Sequence, residues 1–487
     1  MEGSIAELFG NGTIFITGST GFLGKILTEK LLRSCSMKTI ALLVRSKKGF
    51  DSNQRITDIC NQSMFDRLRI EKPDFMTKIK IIDGDLEQPS LGLSTEDHDW
   101  LIENVNFVFH CAATVKFNET LEIATRINIQ GTENLLELAT QINHLKGYVH
   151  VSTAYSHSPR SEIKEQFYPV SISAEELKNL IKRDENPPKV LEDWSNTYTF
   201  TKALTENLIS TYENKLPISI VRPSIIGCTK SEPEPGWVDN MNGLSGVIAA
   251  LTIGMLRTMQ LSTDKISDVV PLDYTVNALI GVMWDTVNRH RDGNNKNKEP
   301  KIYNYVSSVE SSIRREKFIQ YIYEGYYQIP PLESMWYMFC IFTANRWIVN
   351  ILRFILHRIP GALVDLSFVI RGKKPKILKI YKKIENSTDL LKDFTTREWK
   401  FDNSNTRELW SSLSQEDRKT FWFGFEEFDW KEYIKCYVYG VRKHLLHEDL
   451  SNIPRALSKH RKLYWLHLLC IFLIVCIVFL VYWMFMT

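Results

Sequence analysis

The sequence predicts an α/β fold: a Rossmann-like, doubly wound parallel sheet, then a helical C-terminal domain, then a C-terminal transmembrane helix. Three observations carry this. Short apolar strands alternate with helical patterns over residues 11–310. A glycine-rich turn, Thr17 to Gly24 (TGSTGFLG), joins the first strand to the first helix. Finally, Tyr464 to Met486 contains no Lys, Arg, Asp or Glu. The expected domains are 11–310, 311–462 and 463–486.

The first strand is Ile14 to Ile16, and Phe22, Leu23, Ile26, Leu27, Leu31 and Leu32 follow at helical spacing. Gly18, Gly21 and Gly24 therefore stand where a strand becomes a helix. Glycines there allow a tight turn and a close approach to a pyrophosphate, while the helix N-terminus supplies amides and the positive dipole end. Thr17, Ser19, Thr20, Phe22 and Leu23 share this loop and are expected to touch the cofactor. The spacing is GxxGxxG and not GxGxxG.

Ile40 to Val44, Lys78 to Ile82, Phe107 to Phe109, Tyr148 to Val151 and Ile218 to Val221 read as further strands, with Tyr303 to Val306 as a late one. Ligands then belong at the strands' carboxyl ends. The second strand ends in Arg45, with Lys47 and Lys48 close behind, where an NAD site would carry an acid. Cations suit a 2′-phosphate, so the pattern points to NADP; a solvated basic loop is the plainer alternative. Asp85 follows the third strand as a candidate adenine contact. His110 to Ala113 (HCAA) follows the fourth, where the small residues Cys111, Ala112 and Ala113 admit the nicotinamide ribose. His110 itself reads as structural.

The fifth strand delivers Ser152, Thr153 and Tyr155. Tyr198 and Lys202, four residues apart, share one helix face. A neighbouring ammonium would favour the tyrosinate, bringing Tyr198 into range as a proton donor, with Ser152 or Thr153 holding a substrate carbonyl. Residues 159–197 form a charged, proline-containing excursion. Pro223 and Ser224 end the sixth strand. Glu232 to Gly243 carries Trp237, a candidate lid or acyl-chain contact, although an ordinary loop fits equally well.

The formal charge of +3 over 487 residues argues against a nucleic-acid partner, and no metal-ligand spacing is present. The 8 cysteines form no CxxC pair and read as buried thiols in a reducing compartment. From about Ser311 the pattern is helical. Met335 to Ile370 is very apolar but interrupted by Asn345, Arg346, Arg353 and His357 and broken by Pro360 and Gly361. A buried helical core is the preferred reading, ahead of a greasy channel or a membrane-surface hairpin. Tyr464, Trp465, Tyr482 and Trp483 flank the last apolar run, with Arg455, Lys459, Arg461 and Lys462 upstream, so the preceding chain is expected on the cytosolic side.

Together TGSTGFLG at Thr17, LLVR at Leu42, HCAATVKFNE at His110, NIQGTENLL at Asn128, HVSTAY at His150, YTFTK at Tyr198, IVRPSIIG at Ile220, PGWVDNMNG at Pro235 and FTTREWKFDNSN at Phe394 give the chain its family likeness. It resembles the alcohol-forming fatty acyl-CoA reductases of the extended short-chain dehydrogenase superfamily. The resemblance implies reduction of long-chain acyl-CoA to a primary alcohol, a precursor of ether lipids and wax esters, by two successive NADPH-dependent steps. It assigns Tyr198 as proton donor, Lys202 as its partner and ribose ligand, and Ser152 or Thr153 as carbonyl holder. Gly18, Gly21, Phe22, Leu23 and Arg45 would cradle NADPH; Asp85, Leu86, Asn128, Pro223 and Ser224 complete the expected cofactor surface. The expected partners are acyl-CoA and a membrane, with a homo-oligomer left open. The implied location is the peroxisome membrane, single-pass and tail-anchored, with the catalytic domain facing the cytosol. A membrane sterol reductase and an inactive scaffold are the competing readings.

Overall fold

The computed structural model describes residues 3–47, 49–183, 193–291 and 299–486. Lys48 and residues 184–192 of the charged excursion lie outside them. The chain forms two compact units, both discontinuous: Met1–Pro235, Asp268–Ser312 and Trp399–Phe428 make the first, and Gly236–Ser267, Ile313–Glu398 and Asp429–Thr487 the second. The division thus does not fall at a single boundary near 311.

The first unit is built on seven parallel strands: β1 (Thr13–Thr17), β2 (Thr39–Val44), β3 (Ile79–Asp83), β4 (Phe107–His110), β5 (Gly147–Val151), β6 (Ile218–Pro223) and β7 (Lys301–Tyr305). Their order is β7-β6-β5-β4-β1-β2-β3. β1 pairs with both β2 and β4, with Ile14 opposite Ile40 and Phe107, so the order reverses at its carboxyl end. That reversal makes the crevice where ligands bind in such sheets. Every β1 residue is buried, the reason its sequence is an unbroken apolar run rather than an alternating one. Phe15, Ala41, Ile82, Val108, Leu135 and Ile220 belong to one core cluster.

Four helices matter for the site: α1 (Phe22–Ser34), α2 (Gly131–Gln141), α3 (Thr197–Ser210) and α4 (Leu272–Arg291). A π-helical turn, Thr125–Gln130, precedes α2 where sequence periodicity suggests a plain helix. α4 runs on past Trp284, where the apolar pattern fades.

The second unit contains α5 (Arg315–Gln328), α6 (Arg346–Arg353), α7 (Ile359–Ile370), α8 (Ile377–Leu390), α9 (Trp430–Gly440) and α10 (Ile453–Met486). The preferred core reading of 335–370 is wrong for α6 and α7, because Trp347, Ile351, Phe354, Leu363, Leu366 and Ile370 are exposed. Pro360 does not break the helix either. It sits in the first turn of α7, where its missing N–H is harmless, and a π-helical turn, Phe354–Arg358, leads into it from α6. Trp237 is buried, not an exposed lid.

Candidate active site

The site gathers at the carboxyl ends of β1, β2, β4, β5 and β6. The turn after β1 is dictated by close approach. Gly18 has φ +74°, and a Cβ there would sit 2.6 Å from the Ala112 amide nitrogen. At Gly24 a Cβ would lie 2.2 Å from the Gly18 carbonyl oxygen. Only glycine lets the β1 loop, the β4 loop and α1 meet. Gly21 caps α1 without a side-chain acceptor, and no acid stands in the first turn. A dinucleotide pyrophosphate fits this cradle, with helix amides and dipole directed at it. Ser19 donates to Leu43 O at 3.4 Å, tying the turn to β2.

Arg45 follows β2 and is half-exposed; its Nη1 donates to Asp85 at 3.3 Å and to Glu87 at 3.0 Å. Asp85 is therefore engaged with a cation and with the Glu87 amide. Arg55 was not legible in the sequence. Its Nη1 donates to Arg45 O and its Nη2 to Thr20 Oγ1 at 3.4 Å, putting a second guanidinium between the glycine turn and the end of β2. No local motif marks it; only the folding of its helix onto the loop does.

His110 has the structural role expected. Thr132 donates its hydroxyl proton to Asn128 O at 2.6 Å, so it accepts from His110 Nε2 at 2.9 Å. Thr17 then donates to Nδ1 at 2.6 Å, and accepts from the Ala112 amide at 3.4 Å. Burial, with the charge on Lys202, pushes His110 down to about 3, so it is neutral. Burial pushes the Cys111 thiol up to about 12. Asn128 accepts from Thr114 N at 2.9 Å and donates to Thr114 O at 3.3 Å and Thr201 Oγ1 at 3.0 Å. It clasps the β4 loop to α3 from the π-helical turn. Leu86 and Ser224 are buried near the strand ends, and the Ser224 hydroxyl has no hydrogen-bond partner among the described residues.

Helix α3 carries the candidate catalytic residues Tyr198 and Lys202. Asn196 caps it, accepting from Thr199 N at 2.9 Å, which starts the helix just before Tyr198. Tyr198 stacks on Phe117 at 5.9 Å, and the Thr153 side chain lies close enough to its phenol to act on it. Lys202 donates to Val151 O at 2.7 Å, pinning α3 to the end of β5. Burial pushes Lys202 down to about 8 against the pull of Glu206 and Cys111. The spacing argument had Lys202 lowering the tyrosine. Instead burial raises the Tyr198 phenol, opposed by the Thr153 hydrogen bond, because the ammonium is directed at the strand carbonyl.

Ser152 and Thr153 part company. Ser152 donates to Glu206 Oε1 at 2.5 Å, so its hydroxyl is engaged in the interior, whereas the Thr153 hydroxyl accepts from the Tyr155 amide at 3.3 Å. Glu206, one turn beyond Lys202, was also missed. It accepts from Arg222 Nε at 2.9 Å and Nη2 at 2.6 Å, and pairs with His157 Nε2 at 3.0 Å. Burial would raise its carboxyl, but Arg222 and His157 hold it well below the usual range. Its place at i+4 from Lys202 in YTFTKALTE was the available signal.

With this geometry established, comparison with known proteins is informative. Profiles of the male sterility protein family match residues 16–279 and 356–448. The chain is 39% identical over 460 residues to "Fatty acyl-CoA reductase wat" of Drosophila melanogaster, covering 93% of this chain and 88% of that one. It is 36% identical over 473 residues to human "Fatty acyl-CoA reductase 2", covering 96% and 91%. Among solved structures, the terminal R domain of the myxalamid PKS-NRPS pathway superposes with a TM-score of 0.60 at 18% identity, over 89% of this chain and 90% of that one. The reductase domain of a non-ribosomal peptide synthetase from Mycobacterium tuberculosis gives 0.59 at 17%, over 91% and 95%. These two likenesses establish the fold.

Proposed function

Since the chain belongs to the fatty acyl-CoA reductase family, oxidoreductases with a nicotinamide-cofactor domain, we propose that it reduces a long-chain acyl-CoA to the primary alcohol with NADPH. The observation that carries this reading is Lys202 fixed to Val151 O at the end of β5, on the helix face it shares with Tyr198. The overall change takes up two hydrides and two protons, breaks the thioester C–S bond and releases CoA, the aldehyde staying on the enzyme between reductions. When bound, the cofactor supplies the hydrides.

The chain's own residues do the rest. The turn from Thr17 to Gly24 holds the pyrophosphate, and Arg45 with Arg55 favours a 2′-phosphate and hence NADPH over NADH. Thr153 and Tyr198 hydrogen-bond the substrate carbonyl oxygen, and Tyr198 gives its phenolic proton to the alkoxide of the second reduction. Lys202, an ammonium fixed at the Val151 carbonyl, holds the ribose. The apolar run within α10 anchors the protein in the peroxisome membrane as a single-pass helix, the catalytic domain facing the cytosol.

The test is turnover of purified protein with C16 and C18 acyl-CoAs, following cofactor oxidation and alcohol release with NADPH and with NADH. Two NADPH consumed per alcohol are expected. Tyr198→Phe should lower kcat by roughly 10²–10⁴-fold, the worth of a positioned general acid. Arg45→Ala should raise KM for NADPH and leave that for NADH unchanged. Turnover of a sterol ketone with none of any acyl-CoA would sink the proposal, and cofactor binding without turnover would make the protein a scaffold.

A further inference from the structure

Helices α6 and α7 are amphipathic in the wrong sense for a water-facing surface. Trp347 is 80% exposed, Leu363 63% and Ile370 77%, with Ile351, Phe354 and Leu366 beside them. Arg353, His357 and Asp365 turn inward instead, while Arg346, Asn350 and Arg358 stay exposed. Arg353 donates to Asp389 at 2.7 Å and to Thr388 at 3.1 Å. His357 Nδ1 lies 3.2 Å from Glu385, and Asp365 accepts the Ile377 amide at 2.9 Å at the start of α8. In a soluble protein the apolar stripe faces the core and the charges face water. An outward apolar face this extensive marks an interaction surface.

Two observations within the second unit identify the occupant. Arg371, Lys373, Lys374, Lys376 and Lys379 follow directly on the apolar face; all are exposed and, among the described residues, none forms an ion pair. Such a cluster complements anionic headgroups. The face is also continuous with the root of α10. Trp336 Nε1 donates to His467 at 3.3 Å and Phe339 stacks on His467 at 4.7 Å. Arg257 lies over both Trp336 and Phe339. Arg257 then donates to Leu356 O, between α6 and α7, at 3.1 Å, and its backbone amide donates to His357 Nε2 at 3.1 Å. The turn between α6 and α7 is thus linked, through Arg257, Trp336 and Phe339, to the point where α10 enters its apolar stretch.

We propose that α6 and α7 form a second membrane contact, lying in the headgroup–acyl boundary of an anionic bilayer with the Trp347–Ile370 face buried and the 371–379 cations at lipid phosphates. A span is disfavoured because Arg346, Arg358 and Arg371 punctuate the stretch and its inward face is already occupied by ion pairs. This inference rests on the reading of α10 as an anchor. It gives the bilayer two grips on the second unit, fixing the unit's orientation where a single flexible tail would not.

The test is photolabelling of the full-length protein in vesicles of phosphatidylcholine, with or without phosphatidylserine, carrying a diazirine on the acyl chain, followed by peptide mapping. Label is expected in both 464–486 and 347–370, the latter rising roughly tenfold with phosphatidylserine. The triple variant Trp347→Glu/Leu363→Glu/Ile370→Glu should lose the 347–370 label while keeping the tail label and NADPH binding. Label in the tail alone overturns the proposal, as do chain-to-chain cross-links through 347–370 in place of lipid. Label in neither stretch removes the anchor reading with it.

Discussion

Lys202 and Glu206 stand one turn apart on α3 and act on opposite sides of the same strand end. Lys202 is the group whose titration falls in the working range, since burial lowers it to about 8. Its ammonium form is the one the proposed chemistry uses. Activity should therefore be retained below pH 8 and fall as pH rises through it. Lys202→Arg, which keeps its charge, should shift that alkaline limb upward; a limb left in place would show that another group sets it. Glu206 works by holding others. It is wholly buried with Arg222, and Glu206→Gln leaves the guanidinium without its counter-charge. Such a loss destabilises by roughly 3–5 kcal/mol, to be read from urea unfolding monitored in the first unit. A change under about 1 kcal/mol would mean that the Lys164 and Gln166 carbonyls suffice for Arg222.

At the scale of elements, the glycine turn and α1 form one piece with β4. Gly24 is the tightest of its contacts, because its Cα faces the Gly18 carbonyl across the first turn of α1. Gly24→Ala should push α1 off the loop and weaken NADPH binding by at least about tenfold, measured by cofactor fluorescence, with a folded circular dichroism spectrum. Unchanged affinity would separate the turn's geometry from cofactor binding. The cation site at the end of β2 is likewise an element-level product. Arg45 could be read from the sequence by its distance after the glycines, but Arg55 reaches the same place only through the helix Ser52–Cys60, whose Asp51 cap accepts from Gln54 N at 2.7 Å.

At the scale of the whole molecule, the helix Ile453–Met486 exposes an apolar surface from Tyr464 to Met486. The full-length protein should remain in the membrane pellet after alkaline carbonate extraction. Val475→Arg/Leu480→Arg should release it, since each arginine at the centre of a span opposes insertion by roughly 2.5–3.5 kcal/mol. Release of the unaltered protein would refute the anchor.

What the sequence determined by itself is whatever depends on local pattern. The seven strands of the sheet follow from apolar runs, the tight turn after β1 from glycines between strand and helix, and the long apolar helix from uninterrupted hydropathy. Tyr198 and Lys202 share a helix face because the period of a helix guarantees it. What only the tertiary structure decided is where side chains separated by many residues meet. It drew the Ser152 hydroxyl to Glu206, and it directed Lys202 at Val151 O instead of at the tyrosine. It also turned α6 and α7 inside out. Their sequence is equally apolar whether the stripe faces a core or a bilayer, and the choice was made by Asp389 and Glu385 drawing Arg353 and His357 inward. Hydropathy records how much apolar surface a segment carries, but the positions of its buried charges fix which way that surface points.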